Sequence, residues 1–93
     1  MKYAWIITKV NEEFVSPKLI RLNGPRSHAM NLNKVLKTGK TFRMFDDDGI
    51  WYATGKICGD YEGFEPLDQW GTPGLGATSI KYFNSQSKKW ETL

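Results

Sequence analysis

Cysteine and histidine are almost absent from this 93-residue chain: Cys58 and His28 are the single examples of each. One thiol cannot close a disulfide within the chain, so the fold is expected to need no covalent staple, which fits a reducing, cytoplasmic compartment. One His with one Cys cannot furnish a structural zinc site without carboxylates. Cys58, at the end of an apolar stretch, reads as a packed thiol rather than a reactive one. Long apolar runs are also missing. No segment approaches the ~20 residues of a membrane helix, and the apolar start Tyr3-Ala4-Trp5-Ile6-Ile7 is too brief for a secretory signal. Repeats, linkers and low-complexity segments are absent as well, so residues 1–93 are expected to form a single domain with no membrane association.

Acidic residues are scarce in the first half. Residues 1–45 carry 9 Lys/Arg against 2 Glu, a balance of +7, whereas residues 46–68 carry 7 Asp/Glu against Lys56, a balance of −6. Residues 69–93 return to +2, so the formal net charge of +3 conceals a polarised chain. Such a chain can present a basic surface to acidic partners and an acidic surface to basic ones.

Aromatic residues are plentiful, with 4 Trp, 4 Tyr and 5 Phe. Each buried ring removes roughly 150–250 Å² from water, which offsets the small size. Tyr3 to Val10 reads as a strand, and Lys18 to Leu22 as a second one ended by Asn23-Gly24-Pro25. Leu32, Val35 and Leu36 share one helical face, Ser27 or Asn31 can cap, and Gly39 stands at the stop, predicting a helix near 28–38. Phe42-Arg43-Met44-Phe45 and Ile50-Trp51-Tyr52 flank Asp48-Gly49, the strongest short-range hairpin signal. A two-residue loop there would pair Phe45 with Tyr52 and Met44 with Ala53. Phe42, Met44, Trp51, Ala53 and Ile57 would then face the core, with Arg43, Phe45, Tyr52, Thr54 and Lys56 on the other side; a one-residue change of loop length rearranges these faces. Glu65 to Gly71 resembles one helical turn, Thr72 to Gly76 a glycine-rich loop, and Thr78–Phe83 and Lys89–Leu93 two further strands. The expected fold is α+β and mostly β: five or six antiparallel strands in a small curled sheet or barrel, with one short helix.

Several catalytic or metal patterns fail on counting. From Asp46, the sixth and twelfth positions of a calcium loop would be Trp51 and Ile57, where Gly and Glu are needed, so Asp46-Asp47-Asp48 reads as a solvated turn. Gly71 to Thr78 mimics a phosphate loop but has Ala77 in place of the Lys. Ser27 and His28 adjoin each other without a nucleophile-elbow motif, and nothing fixes the separations of Glu62/Glu65 or Asp60/Asp68. The sequence therefore favours a non-enzymatic protein with no cofactor and no metal site. Nucleic-acid binding has more to recommend it: Lys34, Lys37, Lys40 and Arg43 cluster, and Phe45 and Tyr52 could stack bases beside Arg43.

Thr41-Phe42-Arg43-Met44-Phe45-Asp46-Asp47-Asp48-Gly49 with Trp51-Tyr52, then Gly63-Phe64-Glu65-Pro66-Leu67-Asp68, Gly71, Pro73, Gly76 and Trp90-Glu91, resembles a set of short open reading frames of phages, prophages and bacterial genomes. That set has no established activity to transfer. The resemblance implies a small accessory protein of a mobile element, acting in the host cytoplasm on host or rival machinery. The leading expectation is thus protein–protein binding, such as inhibition of a bacterial defence complex of the CRISPR surveillance type. Asp46, Asp47, Asp48, Asp60 and Glu62 would face a basic surface, with Trp51 or Tyr52 as aromatic anchor. The alternative is a nucleic-acid-binding module built on Arg43, Phe45, Tyr52, Lys34, Lys37 and Lys40, and a third is a small enzyme with a carboxylate/His28 site.

Overall fold

The computed structural model describes residues 3–24 and 31–93. Its backbone is one six-stranded antiparallel sheet with strand order β2-β1-β4-β3-β5-β6. The strands are β1 (Tyr3–Val10), β2 (Asn23–Gly24), β3 (Lys40–Phe45), β4 (Trp51–Gly59), β5 (Ser79–Asn84) and β6 (Lys89–Thr92). β2 and β6 form the two edges, so the sheet stays open rather than closing into a barrel. Helix α1 (Leu32–Thr38) connects β2 to β3, and a π-helical segment (Leu67–Leu75) connects β4 to β5.

Alternation along the strands sends Trp5, Ile7, Phe42, Met44, Ala53, Ile57, Ile80 and Tyr82 to one side, where all are at most 5 % exposed. Val15, Leu19 and Leu22 from the segment after β1, Leu67, Trp70 and Leu75 from the π-helical segment, and Ala77 just after it cover this face. Trp5 and Trp70 lie 6.3 Å apart between ring centroids, and the Trp5 Nε1–H donates to Gln69 Oε1 at 2.9 Å. The Tyr82 hydroxyl donates to the Gly63 carbonyl at 2.6 Å, and burial pushes its phenol pKa up. Gly55 sits mid-sheet because a Cβ there would come within 2.5 Å of both the Ile6 carbonyl oxygen and the Phe42 ring. On the opposite face, α1 places Val35, Leu32 and Leu36 on Ala4, Ile6 and Cys58. That helix covers only the β1/β4 end of its face.

Helix α1 is capped by Asn31, whose side chain accepts from the Asn33 N–H at 2.9 Å, and it stops at Gly39 as the sequence predicts. The earlier candidate cap Ser27, with His28 and the Pro25 turn, lies outside the described residues. The second strand expected over Lys18–Leu22 is not one. Pro17–Leu19 forms a single 3-10 turn capped by Ser16, and pairing with β1 is confined to Asn23–Gly24 apart from two bonds that link Ile7 with Arg21 and Leu22. Proline at the turn's start fixes helical φ and favours the turn over extension. The helical turn expected over Glu65–Gly71 instead runs on through Pro73 to Leu75 in a widened π form. It ends when Gly76 adopts φ 75°, with Gly76 N–H on the Thr72 carbonyl and Ala77 N–H on that of Gly71, both at 3.0 Å, a helix stop that favours glycine.

The central hairpin differs in its loop, and everything beside the loop follows. Asp46 and Ile50 close it, the Asp46 N–H donating to the Ile50 carbonyl at 3.0 Å and the Gly49 N–H to that of Asp46 at 3.1 Å. The loop is therefore Asp47-Asp48-Gly49, three residues with Gly49 at φ 80°, a turn followed by a left-handed glycine. Asp46 Oδ1 accepts from the N–H groups of Asp48 and Ile50, both at 2.9 Å. Pairing further along is as expected, Met44 with Ala53 and Phe42 with Gly55, but Phe45 pairs with Trp51, leaving Tyr52 as a bulge. Trp51 is thereby moved out of the expected core set, and Tyr52 turns to the covered side, its ring 5.9 Å from that of Phe14. Asp46→Ala leaves both turn N–H groups without their carboxylate acceptor and is expected to lower unfolding free energy by about 1–2 kcal/mol in urea titration, with Asp46→Asn retaining most of it.

Candidate nucleic-acid interface

Beyond the reach of α1, no helix or loop among the described residues covers the second face of the sheet. Register across β1, β4, β3, β5 and β6 aligns Lys9, Thr54, Arg43, Lys81 and Thr92 in one row. Phe45 and Trp51 flank this row on one side, and Phe83 and Trp90 on the other. All four rings are only half-buried. None of the positions on this face carries a carboxylate. A strand alternates its side chains, so the acids of β6 and of the loops after β4 fall on the other side or at the ends.

Each of the three cations in the Lys9–Arg43–Lys81 row lies against a ring. The Arg43 guanidinium stands 4.2 Å from the Trp90 ring centroid, Lys81 Nζ 5.1 Å from that of Phe45, and Lys9 Nζ 5.9 Å from that of Trp51. Phe83 and Trp90 meet at 5.3 Å with a tilted geometry. Trp51 is fixed further by its Nε1–H, which donates to Thr54 Oγ1 at 3.0 Å. These contacts hold the rings in place while keeping three positive charges at the surface. The result is a band of alternating cations and aromatics across the sheet, a form suited to stacking bases while drawing phosphates.

The sequence-derived residues divide between several places. Arg43 and Phe45 lie on the open face as expected. Tyr52 does not, and its hydroxyl instead donates to Asp46 Oδ2 at 3.3 Å; burial and the neighbouring carboxylate push its phenol pKa up. Lys40 also leaves the set, since its Nζ stands 5.6 Å from the Tyr82 ring on the covered side. Lys34 and Lys37 are exposed on α1, which packs over β1 and β4 rather than over the row itself. Lys9, Lys81 and Trp90 were missed by the sequence reading: their alternation was legible, but only the pairing of distant strands puts them beside Arg43.

The acidic set does not form one patch. Asp47 and Asp48 are exposed at the hairpin tip, and Asp46 is occupied in holding the turn. Asp60 and Glu62 follow the far end of the nine-residue β4, roughly 30 Å away at 3.3 Å per residue. Glu65 holds its own loop, accepting from the Glu62 and Gly63 N–H groups at 2.7 Å each. Burial acts to raise the Glu65 carboxyl, but these backbone donors outweigh it and hold its pKa below the usual value. Its contribution to stability is present above the ordinary carboxylate pKa and is lost as pH falls through the lowered one. A carboxylate so engaged is a poor general acid, which weakens the Glu62/Glu65 pairing as a catalytic idea. Among the described residues, no group of three or more His, Cys, Asp or Glu could hold a metal ion, and no helix is long and apolar enough to cross a membrane.

One cleft of about 370 Å³ lies at the rim of the open face, between Phe83, the β5–β6 turn and the end of α1, and another of the same volume at Lys40, Tyr61, Glu62, Tyr82 and Glu91. The first is lined mainly by hydroxyl and amide side chains, and the second contains carboxylates. A third cleft, of about 280 Å³, lies on the open face and is lined by Lys9, Arg43, Phe45, Trp51 and Thr54. Comparison of the chain with protein-family models, curated proteins and solved structures finds no match.

Proposed function

We propose that this protein is a non-catalytic binding module whose open sheet face takes single-stranded nucleic acid. One observation carries the reading: Arg43–Trp90, Lys81–Phe45 and Lys9–Trp51 stand on a single face that, among the described residues, is uncovered and without a carboxylate. Exposed rings give base stacking that tolerates any sequence, and the interleaved cations neutralise the backbone. Double-stranded nucleic acid is disfavoured because its bases are stacked inside and offer no faces to the rings. With three or four phosphates neutralised, log affinity should fall against log salt with a slope of about −2 to −3. That is about 20- to 50-fold weaker binding at 200 mM than at 50 mM salt. Fluorescence titration with an unstructured oligonucleotide measures it, and a flat salt response would contradict the reading.

A second reading is supported by a different feature. Asp47 and Asp48 project from a turn that Asp46 makes rigid, next to the exposed Ile50. This acidic tip suits a basic protein surface, and it accords with an accessory protein of a mobile element that inhibits a defence complex in the host cytoplasm. In that case Asp47→Asn with Asp48→Asn would abolish partner capture from nuclease-treated lysate, whereas Trp90→Ala would leave it intact.

A further inference from the structure

The cleft bounded by Phe45 and Trp51 has features that the rest of the open face lacks. Two rings from neighbouring strands line it, Phe45 on β3 and Trp51 on β4, paired across the bulge. Behind the Phe45 ring stands Lys81, and beside Trp51 stands Lys9. Lys9 and Arg43 line the cleft from opposite neighbouring strands, β1 and β3. Thr54 supplies the hydroxyl. Its oxygen already accepts the Trp51 indole N–H, so the hydroxyl proton and one lone pair remain for a ligand. The volume of about 280 Å³ is small for a drug-sized molecule and suited to a single nucleotide.

We propose that this cleft is the anchoring subsite of the face and receives one unstacked nucleobase against the Phe45 and Trp51 rings. Its phosphate lies beside Lys9, and the Arg43 guanidinium, held over Trp90, takes the next phosphate. The inference rests on the nucleic-acid reading of the face and adds to it a defined first position. The Thr54 hydroxyl hydrogen-bonds the edge of the base, and neighbouring nucleotides run across β3 and β5 toward Arg43 and Trp90. The minimal ligand is then a nucleoside monophosphate, bound weakly, with millimolar affinity for one stacked base and one phosphate. Thr54 is a positioning residue as well as a contact, because it orients the indole.

The intact 15N-labelled protein titrated with adenosine and uridine monophosphates, and separately with an unstructured eight-nucleotide strand, tests this. The expected result is a saturable shift of the Trp51 indole N–H signal with either mononucleotide, competed by the longer strand. Thr54→Val should weaken mononucleotide binding roughly three- to tenfold, the loss of about one hydrogen bond, and Thr54→Ser should restore it. Inorganic phosphate alone should leave the indole signal in place, since it brings no base. If the eight-nucleotide strand binds and shifts Trp90 while mononucleotides leave Trp51 unmoved, the anchoring subsite is wrong and the broader face remains. If neither ligand shifts any signal of the face, both the subsite and the face reading fall.

Discussion

Replacing both open-face indoles, Trp51→Ala with Trp90→Ala, is expected to weaken single-strand binding from about 30-fold to more than 1,000-fold. The estimate follows from roughly 1–3 kcal/mol lost per stacked base. Trp90 carries the guanidinium of Arg43 at 4.2 Å, so its removal also frees that cation to move. Fluorescence anisotropy with a labelled oligonucleotide reads the effect without relying on the lost tryptophans, and a thermal melt confirms that the variant is folded. The informative control is the adjacent residue. Tyr52 lies on the covered side with Phe14, and Tyr52→Phe should leave nucleic-acid affinity unchanged within about twofold, since its hydroxyl touches Asp46 rather than the face. With the shorter two-residue loop Tyr52 rather than Trp51 would stand on the face, and Tyr52→Ala rather than Trp51→Ala would then weaken binding, so these two alanine variants read the bulge.

The second large effect concerns stability. Phe42→Ala is expected to cost about 3–5 kcal/mol, the range for deleting a fully buried ring. Phe42 is 0 % exposed, lies 5.9 Å from the Tyr82 ring and fills the space left open by Gly55. A chain of this length has roughly 5–14 kcal/mol of unfolding free energy, so about a fifth or more of it would be lost. The urea midpoint should fall accordingly with an unchanged slope. By contrast Phe14, 56 % exposed, should cost about 1 kcal/mol or less on replacement by Ala. A small effect at Phe42 would mean that the covered face is not the core.

Much of the fold was legible because it rests on local signals. Tyr3–Val10, the Asn31 cap and the Gly39 stop are set by residues within a few positions of each other. Lys18–Leu22 misled because its apolar pattern fits a strand, while Pro17 and Ser16 together favour a turn that strand pairing does not overcome. Thr72–Gly76 misled in the opposite sense: two glycines and a proline signal a loop, yet packing of Leu67 and Gly71 under the sheet keeps the chain helical past Pro73. The site was only half visible. Arg43 and Phe45 could be read from one strand, but Trp51 and Tyr52 exchanged faces through one extra loop residue. Lys9 and Lys81 come from strands that the sheet order sets beside β4 and β3, and Trp90 from the edge strand β6 one step further out. Charge behaves in the same way. What is a boundary at residue 46 along the chain becomes, in three dimensions, a carboxylate-free face opposed to acidic loops.

The most direct measurement is residue-resolved titration of the labelled protein with an unstructured single strand at low salt. The account predicts shifts concentrated on Lys9, Arg43, Phe45, Trp51, Lys81 and Trp90, with Tyr52 and Lys40 unmoved and the whole response weakening steeply as salt is added. Absence of binding at low salt, or shifts confined to Asp47 and Asp48 at the hairpin tip or to the covered face, would contradict it.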